Sequence, residues 1–251
     1  PHLGASTFEA NYNAARRAAS QLIDFDDKGI ASYIVNRDVP EGLDPAYGDL
    51  AFTLTRLCRA VLGREASLSG VETSIYGTLK PYAQWLLVPI VASLSDEFDR
   101  SGGQAGAARY LRDCGIEYSD RETDEHKRYH NSLTVDLIAS LDSGTLRRVS
   151  VRGTIAEGRM MVSRINDFDK LYFEPHGPTV LFVYPDRPGI LGQIGAALAR
   201  AEINIDDVRN PHDSQGRQSI AILQVNRLPT SEKLKEIGAA IGATVAAAIQ
   251  L

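Results

Sequence analysis

Histidines are the side chains of this sequence with the widest chemical scope, because an imidazole can carry a proton or bind a metal near neutral pH. His2 precedes a predicted helix and could act as a general acid or base, although no carboxylate lies near it in the sequence. A lone histidine is more commonly a structural hydrogen-bonding residue, so both roles stay open for His2. His126 and His130 are four residues apart, but no third ligand follows at a recognised spacing, so we predict no metal site.

Basic residues form the second candidate group. They lie on predicted strands and turns in the second half of the chain: Arg147, Arg148, Arg152, Arg159, Arg164 and Lys170. Such a set can bind phosphates or carboxylates, but it is more commonly the solvated face of a sheet. If an anion binds here, we expect Arg159, Arg164 and Lys170 to hold it.

The composition excludes several classes of protein. The chain has 251 residues, 43% of them hydrophobic and 24% charged, which is typical of a folded globular protein and not of a disordered polyelectrolyte. Its net charge of −5 argues against nucleic acid as a partner. The longest nearly apolar run, residues 85–94, is about half the length of a membrane-spanning helix, so we expect no membrane partner.

Two cysteines, Cys58 and Cys114, cannot form a disulfide framework, which favours a reducing cytoplasmic compartment. Because the first residue is Pro1, we expect a longer parent protein.

A helix is predicted near the start of the chain. Ser6 and Glu9 have the spacing of a capping box, in which side-chain oxygens satisfy the free N–H groups of a helix start. Apolar residues then recur every three or four positions and form one stripe: Phe8, Tyr12, Ala15, Ala19, Leu22 and Ile23. The pattern ends in charged residues and Gly29, so we predict a first segment over residues 1–29.

An α+β domain with an antiparallel sheet is predicted over residues 30–176. Helical periodicity predicts helices that cover residues 46–62, begin at residues 80–81, and cover residues 104–114. Pro89 should kink the second of these helices or end it early. Alternating patterns indicate strands over residues 69–75, 116–123, 133–141, 145–155 and 160–165.

A ferredoxin-like domain is predicted over residues 177–251, after a segment rich in proline and glycine. Strands are indicated over residues 179–184, 203–208, 218–225 and 243–249. Helices are indicated over residues 190–200 and 230–240. The order β-α-β-β-α-β predicts a four-stranded antiparallel sheet with both helices on one face.

The sequence PHLGAST at residues 1–7, followed by an alanine-rich helix, resembles the end of the nucleotide-binding domain of D-2-hydroxyacid dehydrogenases. The resemblance implies that His2 is the general acid/base opposite the nicotinamide of NAD. The glycine-spaced residues 189–195 read GxxGxxG and lack the G-x-G turn that brings backbone amides to a pyrophosphate. We therefore expect NAD to bind in the full-length enzyme and not to this chain, which should be inactive alone.

The sequence YPDRPGIL, which starts at Tyr184, resembles together with Asn204 an ACT domain, a module that senses amino acids. The resemblance implies that L-serine binds between two such domains, held by Tyr184, Asp186 and Asn204. Backbone groups near Ile190 and Leu191 would complete the site. Residue chemistry agrees, because Asp186 and the Asn204 amide can accept from an ammonium, and a helix start can donate N–H groups to a carboxylate. Alternatively, Asp186 only organises its loop and Asn204 occupies a left-handed turn.

The predicted middle domain is similar in position and pattern to the intervening domain of long-form phosphoglycerate dehydrogenases, which implies an allosteric site for a phosphorylated anion. Met161 and Glu174 stand where this resemblance leads us to expect cationic residues. The three signals occur in the order of these enzymes. The resemblance therefore implies the C-terminal regulatory part of an NAD-dependent dehydrogenase of serine biosynthesis, with L-serine as effector and a dimer or tetramer formed by ACT pairing.

Two alternatives to this interpretation belong to other classes. One is a stand-alone amino-acid-binding regulator of the ACT type, without catalysis. The other is the β-like portion of an iron–sulfur L-serine dehydratase, against which the PHLGAST segment and the lack of a cysteine trio argue.

Overall fold

The computed structural model describes residues 7–28, 39–63, 65–123, 129–140 and 145–251. The chain divides into two compact units, Pro1–Val39 and Pro40–Leu251. His2, Gly29 and His126 lie outside the described residues. The domain boundaries after residues 29 and 176 stay predictions.

The described part of the first unit is mainly one helix, α1 (Phe8–Lys28). Thr7 begins it, because the Thr7 Oγ1 accepts a hydrogen bond from the N–H of Ala10 at 3.1 Å. The sequence pattern points to Ser6 as the capping residue, whereas the capping oxygen comes from Thr7, since the helix starts one residue later. The apolar stripe has the expected helical spacing, and its members Phe8 and Leu22 are exposed.

The second unit starts with the elements of the predicted α+β domain. In chain order they are α2 (Ala46–Leu62), β1 (Ser67–Tyr76), α3 (Ala83–Leu94), α4 (Gly103–Asp113), β2 (Glu117–Asp120), β3 (Ser132–Ser140), β4 (Leu146–Ala156), β5 (Arg159–Ile165) and β6 (Phe168–Phe173). A 3-10 helix, Gly77–Tyr82, precedes α3. The bounds predicted for α2 are confirmed.

The six strands form one sheet in the order β2-β1-β3-β4-β5-β6. All neighbours are antiparallel except β1 and β2, which are parallel. The expected purely antiparallel sheet is therefore mixed at one edge, because α3 and α4 form a crossover that returns the chain in the same direction. The strand β6 was missed by the sequence analysis. Lys170 and Tyr172 have positive φ angles of 60° and 43°, which interrupt the alternation of buried and exposed residues.

One face of this sheet is apolar and packs against α2, which contacts β3 and β4. Val71 and Val135 are fully buried on that face. A Cβ at Gly153 would lie 2.9 Å from Leu50 Cδ1 and 3.0 Å from Leu54 Cδ2. Close approach of α2 to β4 thus requires a residue without a side chain. The opposite face carries polar side chains.

The helix α3 continues past Pro89 to Leu94. Of the two alternatives expected at the proline, a kink or an early end, the early end is therefore wrong. A proline inside a helix costs about 3 kcal/mol, because it removes one backbone hydrogen bond and crowds the preceding turn. Leu86, Ile90 and Val91 are fully buried. Burial of each such side chain contributes roughly 1.5–3 kcal/mol, so together they outweigh the cost of the proline.

The rest of the second unit has the predicted β-α-β-β-α-β order. Its elements are β7 (Pro178–Pro185), α5 (Ile190–Arg200), β8 (Ile205–Arg209), β9 (Gln218–Val225), α6 (Ser231–Ile241) and β10 (Val245–Gln250). The sheet has the order β10-β7-β9-β8, and all neighbours are antiparallel. Alternate residues of β7 join a buried cluster with residues of both α5 and α6, so both helices pack on one face. The predicted ferredoxin-like fold is confirmed.

The helix α2 links the two sheets, because it packs on β3 and β4 and also contacts β10. Leu181 and Val183, on the face of the second sheet opposite α5 and α6, are buried as well. The backbones of Gly177 and Leu251 exchange two hydrogen bonds of 2.9 and 3.0 Å, which hold the start of β7 beside the chain end. At the other edge, β8 has a strand neighbour on one side only within the described part of the chain.

Candidate ligand-binding site

Asp186 follows β7 at the point where the chain leaves the second sheet, and hydrogen bonds hold both its backbone and its carboxylate. Its N–H donates to the carbonyl oxygen of Arg217 at 2.9 Å. Its Oδ1 accepts from the Ser219 hydroxyl at 2.8 Å, and its Oδ2 lies 3.4 Å from Nδ1 of His212. The Asp186 side chain is 36% exposed. The carboxylate therefore has a fixed orientation and can still reach a ligand.

Tyr184 lies two residues before Asp186 and is almost completely buried. Its Oη accepts a hydrogen bond from Nδ2 of Asn210 at 2.8 Å. Burial raises the pKa of Tyr184, and the Asn210 amide offsets this increase only in part. The phenol is consequently neutral near pH 7, and it supports the segment after β8 from within the core.

The turn from β7 into α5 places a helix start beside Asp186. Gly189 caps this helix with a left-handed backbone, φ 89°. The Ile190 side chain is 2% exposed and belongs to the core, while that of Leu191 is 41% exposed. The first N–H groups of a helix have no intrahelical partner and attract anions. Ile190 can therefore contribute to a site through its backbone but not through its side chain.

Asn204 lies just before β8, away from the other predicted ligand-binding residues. Its N–H donates to Asn226 Oδ1 at 3.0 Å, and its side-chain amide donates to Asp206 Oδ1 at 2.8 Å. Asn226 follows the end of β9, whereas Arg217, the backbone partner of Asp186, precedes its start. The eight residues of β9 span roughly 25 Å at the usual rise of a strand. Within one chain, the structure does not bring Asn204 to Asp186.

The alternative role considered for Asn204, a left-handed turn, is wrong. Glu202 has the positive φ angle in this turn, 56°, and Asn204 does not. The alternative role of Asp186 as an organiser of its loop is compatible with its contacts to Arg217 and Ser219.

Three residues of this site were missed by the sequence analysis: Asn210, His212 and Ser219. Asn210 and His212 lie between the strands predicted over residues 203–208 and 218–225, where no site is predicted. His212 pairs with Ser219 through an isolated β-bridge that exists only when the chain has folded back along β9. Ser219 is fully buried, yet in sequence it is one ordinary serine at the start of a strand. Only the histidine offered a signal, and that signal is not specific.

A cavity of about 730 Å³ opens on the polar face of the first sheet. Arg164 lines it and donates to the Ser150 hydroxyl at 2.9 Å. Arg159 instead lies 3.3 Å from Glu174 at the surface, and Lys170 lies on β6 outside the lining of this cavity. The three basic residues expected at an anion site are not brought together, and their binding of an anion stays a prediction.

Two further arginines of this cavity, Arg121 and Arg148, are paired with carboxylates. Buried Asp136 accepts from Arg148 at 2.6 Å and lies 3.5 Å from Arg121, and Glu72 pairs with both arginines. Desolvation lowers the pKa of Arg148, but the two carboxylates outweigh it and raise this pKa above its ordinary value. Arg121 and Arg148 therefore compensate these two carboxylates, one of them buried, and do not form an open anion site.

The glycine-spaced residues 189–195 do not suit a dinucleotide. In dinucleotide-binding folds the third glycine permits close packing of helix on strand, but a Cβ at Gly195 would meet nothing within 4 Å. The strands that flank α5 are also not neighbours, because β9 lies between β7 and β8. This segment lacks the features that hold NAD in such folds.

Within the described residues, no three histidine, cysteine, aspartate or glutamate side chains are placed to hold one metal ion. The helices described here include none with the length and apolar character needed to cross a membrane.

Residues 179–242 match the family model of the ACT domain. The second sheet with α5 and α6 is therefore an ACT domain. The match includes Asp186 and Asn204, and it confirms the resemblance to this domain.

Almost the whole chain is also similar to D-3-phosphoglycerate dehydrogenases. It is 23% identical to the enzyme of Bacillus subtilis over 94% of this chain and 45% of the relative. The enzyme of Synechocystis is 28% identical over 82% of this chain and 37% of the relative, and that of Methanocaldococcus jannaschii is 25% identical over 94% and 45%. The chain thus spans less than half the length of these curated relatives. The similarity confirms the resemblance to phosphoglycerate dehydrogenases and agrees with a C-terminal portion of such an enzyme.

Proposed function

We propose that this chain is the C-terminal regulatory part of a D-3-phosphoglycerate dehydrogenase and that its ACT domain binds L-serine as a feedback effector. The similarity over 94% of the chain supports the enzyme class, and the ACT match supports an amino-acid ligand. The observation that carries the proposal is the oriented, partly exposed Asp186 carboxylate next to the start of α5. An acceptor for an ammonium group and N–H donors for a carboxylate are what an amino acid requires.

The effector site is proposed to be shared by two copies of the chain. Asn204 and Asp186 lie at opposite ends of β9, so a single copy does not offer both to one small ligand. If the β8 edges of two copies pair antiparallel across a two-fold axis, the start of one β8 lies opposite the end of the other. Asn204 of one copy is then at the end where the second copy holds Asp186. A dimer, or a tetramer built from such dimers, follows from this arrangement.

The catalytic role of the complete enzyme is part of the same proposal. We propose that NAD-dependent oxidation of 3-phosphoglycerate to 3-phosphohydroxypyruvate uses a separate nucleotide-binding part, with His2 as the acid/base group. Because residues 189–195 do not suit NAD, this chain alone is proposed to bind no NAD and to be inactive. Serine bound between two ACT domains would stabilise one domain arrangement and reduce activity. The free thiols of Cys58 and Cys114 support the proposed cytoplasmic location.

Isothermal titration calorimetry of the folded chain with L-serine tests the effector proposal. We expect saturable heat with one ligand for each Asp186. D-Serine is the matched control, because it carries the same charged groups in the opposite configuration and should bind more weakly. A chain that is folded by circular dichroism and gives no heat with millimolar L-serine would contradict the proposal.

A further inference from the structure

Asp186, Ser219 and His212 form a triangle of polar side chains at the end of β7. The Ser219 hydroxyl lies 2.8 Å from Asp186 Oδ1 and 3.0 Å from His212 Nδ1, and the same nitrogen lies 3.4 Å from Asp186 Oδ2. Ser219 is fully buried, whereas the His212 side chain is 57% exposed. The β-bridge between His212 and Ser219 keeps the imidazole beside the carboxylate.

We propose that His212 is a further residue of the effector site and makes effector binding depend on its protonation. The inference rests on the proposed function, in which Asp186 accepts the ammonium group of an amino acid. A protonated imidazole is a positive charge within ion-pair distance of the same carboxylate. It therefore competes with the ammonium group for Asp186, and the neutral imidazole does not.

Three other titratable groups near His212 keep their protonation state between pH 5.5 and 7.5. Tyr184, on β7, stays neutral because burial raises its pKa. Desolvation raises the pKa of Asp213, in the hairpin, but backbone N–H groups of this hairpin lower it by more, so Asp213 stays ionised. Arg217 remains positive, as arginines do in proteins. Because histidine is the side chain whose charge ordinarily changes between pH 5 and 8, we assign a pH effect in this range to the imidazole.

Strict competition sets the size and the sign of the effect. The apparent dissociation constant increases by a factor of one plus the ratio of protonated to neutral imidazole. This ratio increases tenfold for each unit by which the pH falls, so affinity is highest when the imidazole is neutral and decreases as it gains a proton. We expect the serine dissociation constant to be several-fold larger at pH 5.5 than at pH 7.5.

Calorimetry with L-serine at pH 5.5, 6.5 and 7.5, each in two buffers of different ionisation enthalpy, tests the inference. At pH 6.5, binding should release a fraction of a proton, which makes the heat depend on the buffer. His212→Asn retains a nitrogen near the position of Nδ1 but carries no charge, so its affinity should vary less than about twofold over this range. His176→Asn is the matched control, because His176 precedes β7 at the other end of the sheet, beside the carbonyl of Glu174. It should retain the full pH effect.

Each outcome decides the inference. A pH effect that disappears in His212→Asn and persists in His176→Asn supports it. Serine binding that is independent of pH, or whose pH dependence survives in His212→Asn, overturns the inference and leaves the proposed function intact. Absence of serine binding at every pH overturns both. If His212→Asn does not fold, the test is proton release on serine binding at pH 6.5, measured with the unchanged chain and with His176→Asn. Proton release supports the inference, and its absence overturns it.

Discussion

At the scale of single residues, Asp186 combines a fixed orientation with access to a ligand. The buried Ser219 hydroxyl holds one carboxylate oxygen, and the other lies near exposed His212. Arg159 is a contrasting case, because it pairs with Glu174 at the surface, where ion pairs contribute little and side chains keep their freedom. A carboxylate that binds a ligand is most effective when it is oriented before the ligand arrives. The contacts of Asp186 provide this orientation, whereas the surface pair of Arg159 and Glu174 does not.

Replacing Asp186 by Asn should weaken L-serine binding roughly 10- to 100-fold, because a hydrogen bond to a charged group contributes about 1.5–3 kcal/mol. The amide keeps the shape of the side chain and can still accept from Ser219, so the free energy of unfolding should change by less than about 1 kcal/mol. Calorimetry and urea unfolding measure the two effects. Asp169→Asn, on β6, is the control and should bind serine normally. Unchanged affinity in Asp186→Asn would remove this residue from the site.

At the scale of secondary-structure elements, α2 is central to the second unit. It contacts β3 and β4 on one side and α3 and β10 on others, and most of its residues are buried. Its approach to β4 depends on Gly153, where a Cβ would also come within 3.0 Å of the Met161 carbonyl oxygen. Backbone atoms cannot move aside as the end of a flexible side chain can, so this contact is intolerant of added volume.

Gly153→Ala should therefore reduce the free energy of unfolding by about 1–3 kcal/mol, the usual cost of overpacking a core. Gly106→Ala is the matched control in α4, where a Cβ would meet nothing within 4 Å. Because alanine is the better helix former, this control should gain up to about 1 kcal/mol. Urea denaturation of both variants measures the difference. Equal stability of the two variants would show that α2 and β4 are not closely packed at residue 153.

At the scale of the whole molecule, the ACT sheet has one edge near α2, and no strand of the described residues pairs with its other edge. The edge strand β10 contacts α2, and β8 at the other edge exposes Val208. An exposed edge strand is a template for pairing with another chain. Pairing of two β8 strands is thus the arrangement that the second unit permits most directly.

Mixing two variants that do not bind serine tests whether the effector site is shared between two copies of the chain. Asp186→Ala and Asn204→Ala should each abolish serine binding when alone. If the two residues act across the dimer, a mixed dimer contains one site in which both residues are intact. Random exchange of subunits should then restore about a quarter of the wild-type sites. Calorimetry before and after exchange measures the recovery, and sedimentation velocity verifies the dimer. No recovery in a verified mixed dimer would mean that Asn204 and Asp186 do not form a shared site.

The sequence by itself determined those features whose physical causes are local. Helical periodicity predicted α2 over residues 46–62 and α5 over residues 190–200, because each pattern depends on neighbours three or four positions away. The helix predicted over residues 230–240 is α6, and Thr230 caps it by accepting a hydrogen bond from the N–H of Lys233 at 3.2 Å. The order of strands and helices, and with it the ferredoxin-like fold, followed from such patterns.

Only the tertiary structure decided which residues meet. The crossover through α3 and α4 made β1 and β2 parallel. Positive φ angles in β6 interrupted the alternating pattern from which a strand is predicted. Asp186, His212 and Ser219 are separated by up to 33 positions in the chain, and strand pairing brings them together. Strand pairing likewise places Asn204 at the other end of the sheet from Asp186. Such contacts depend on long-range register, which a local pattern of residues does not contain.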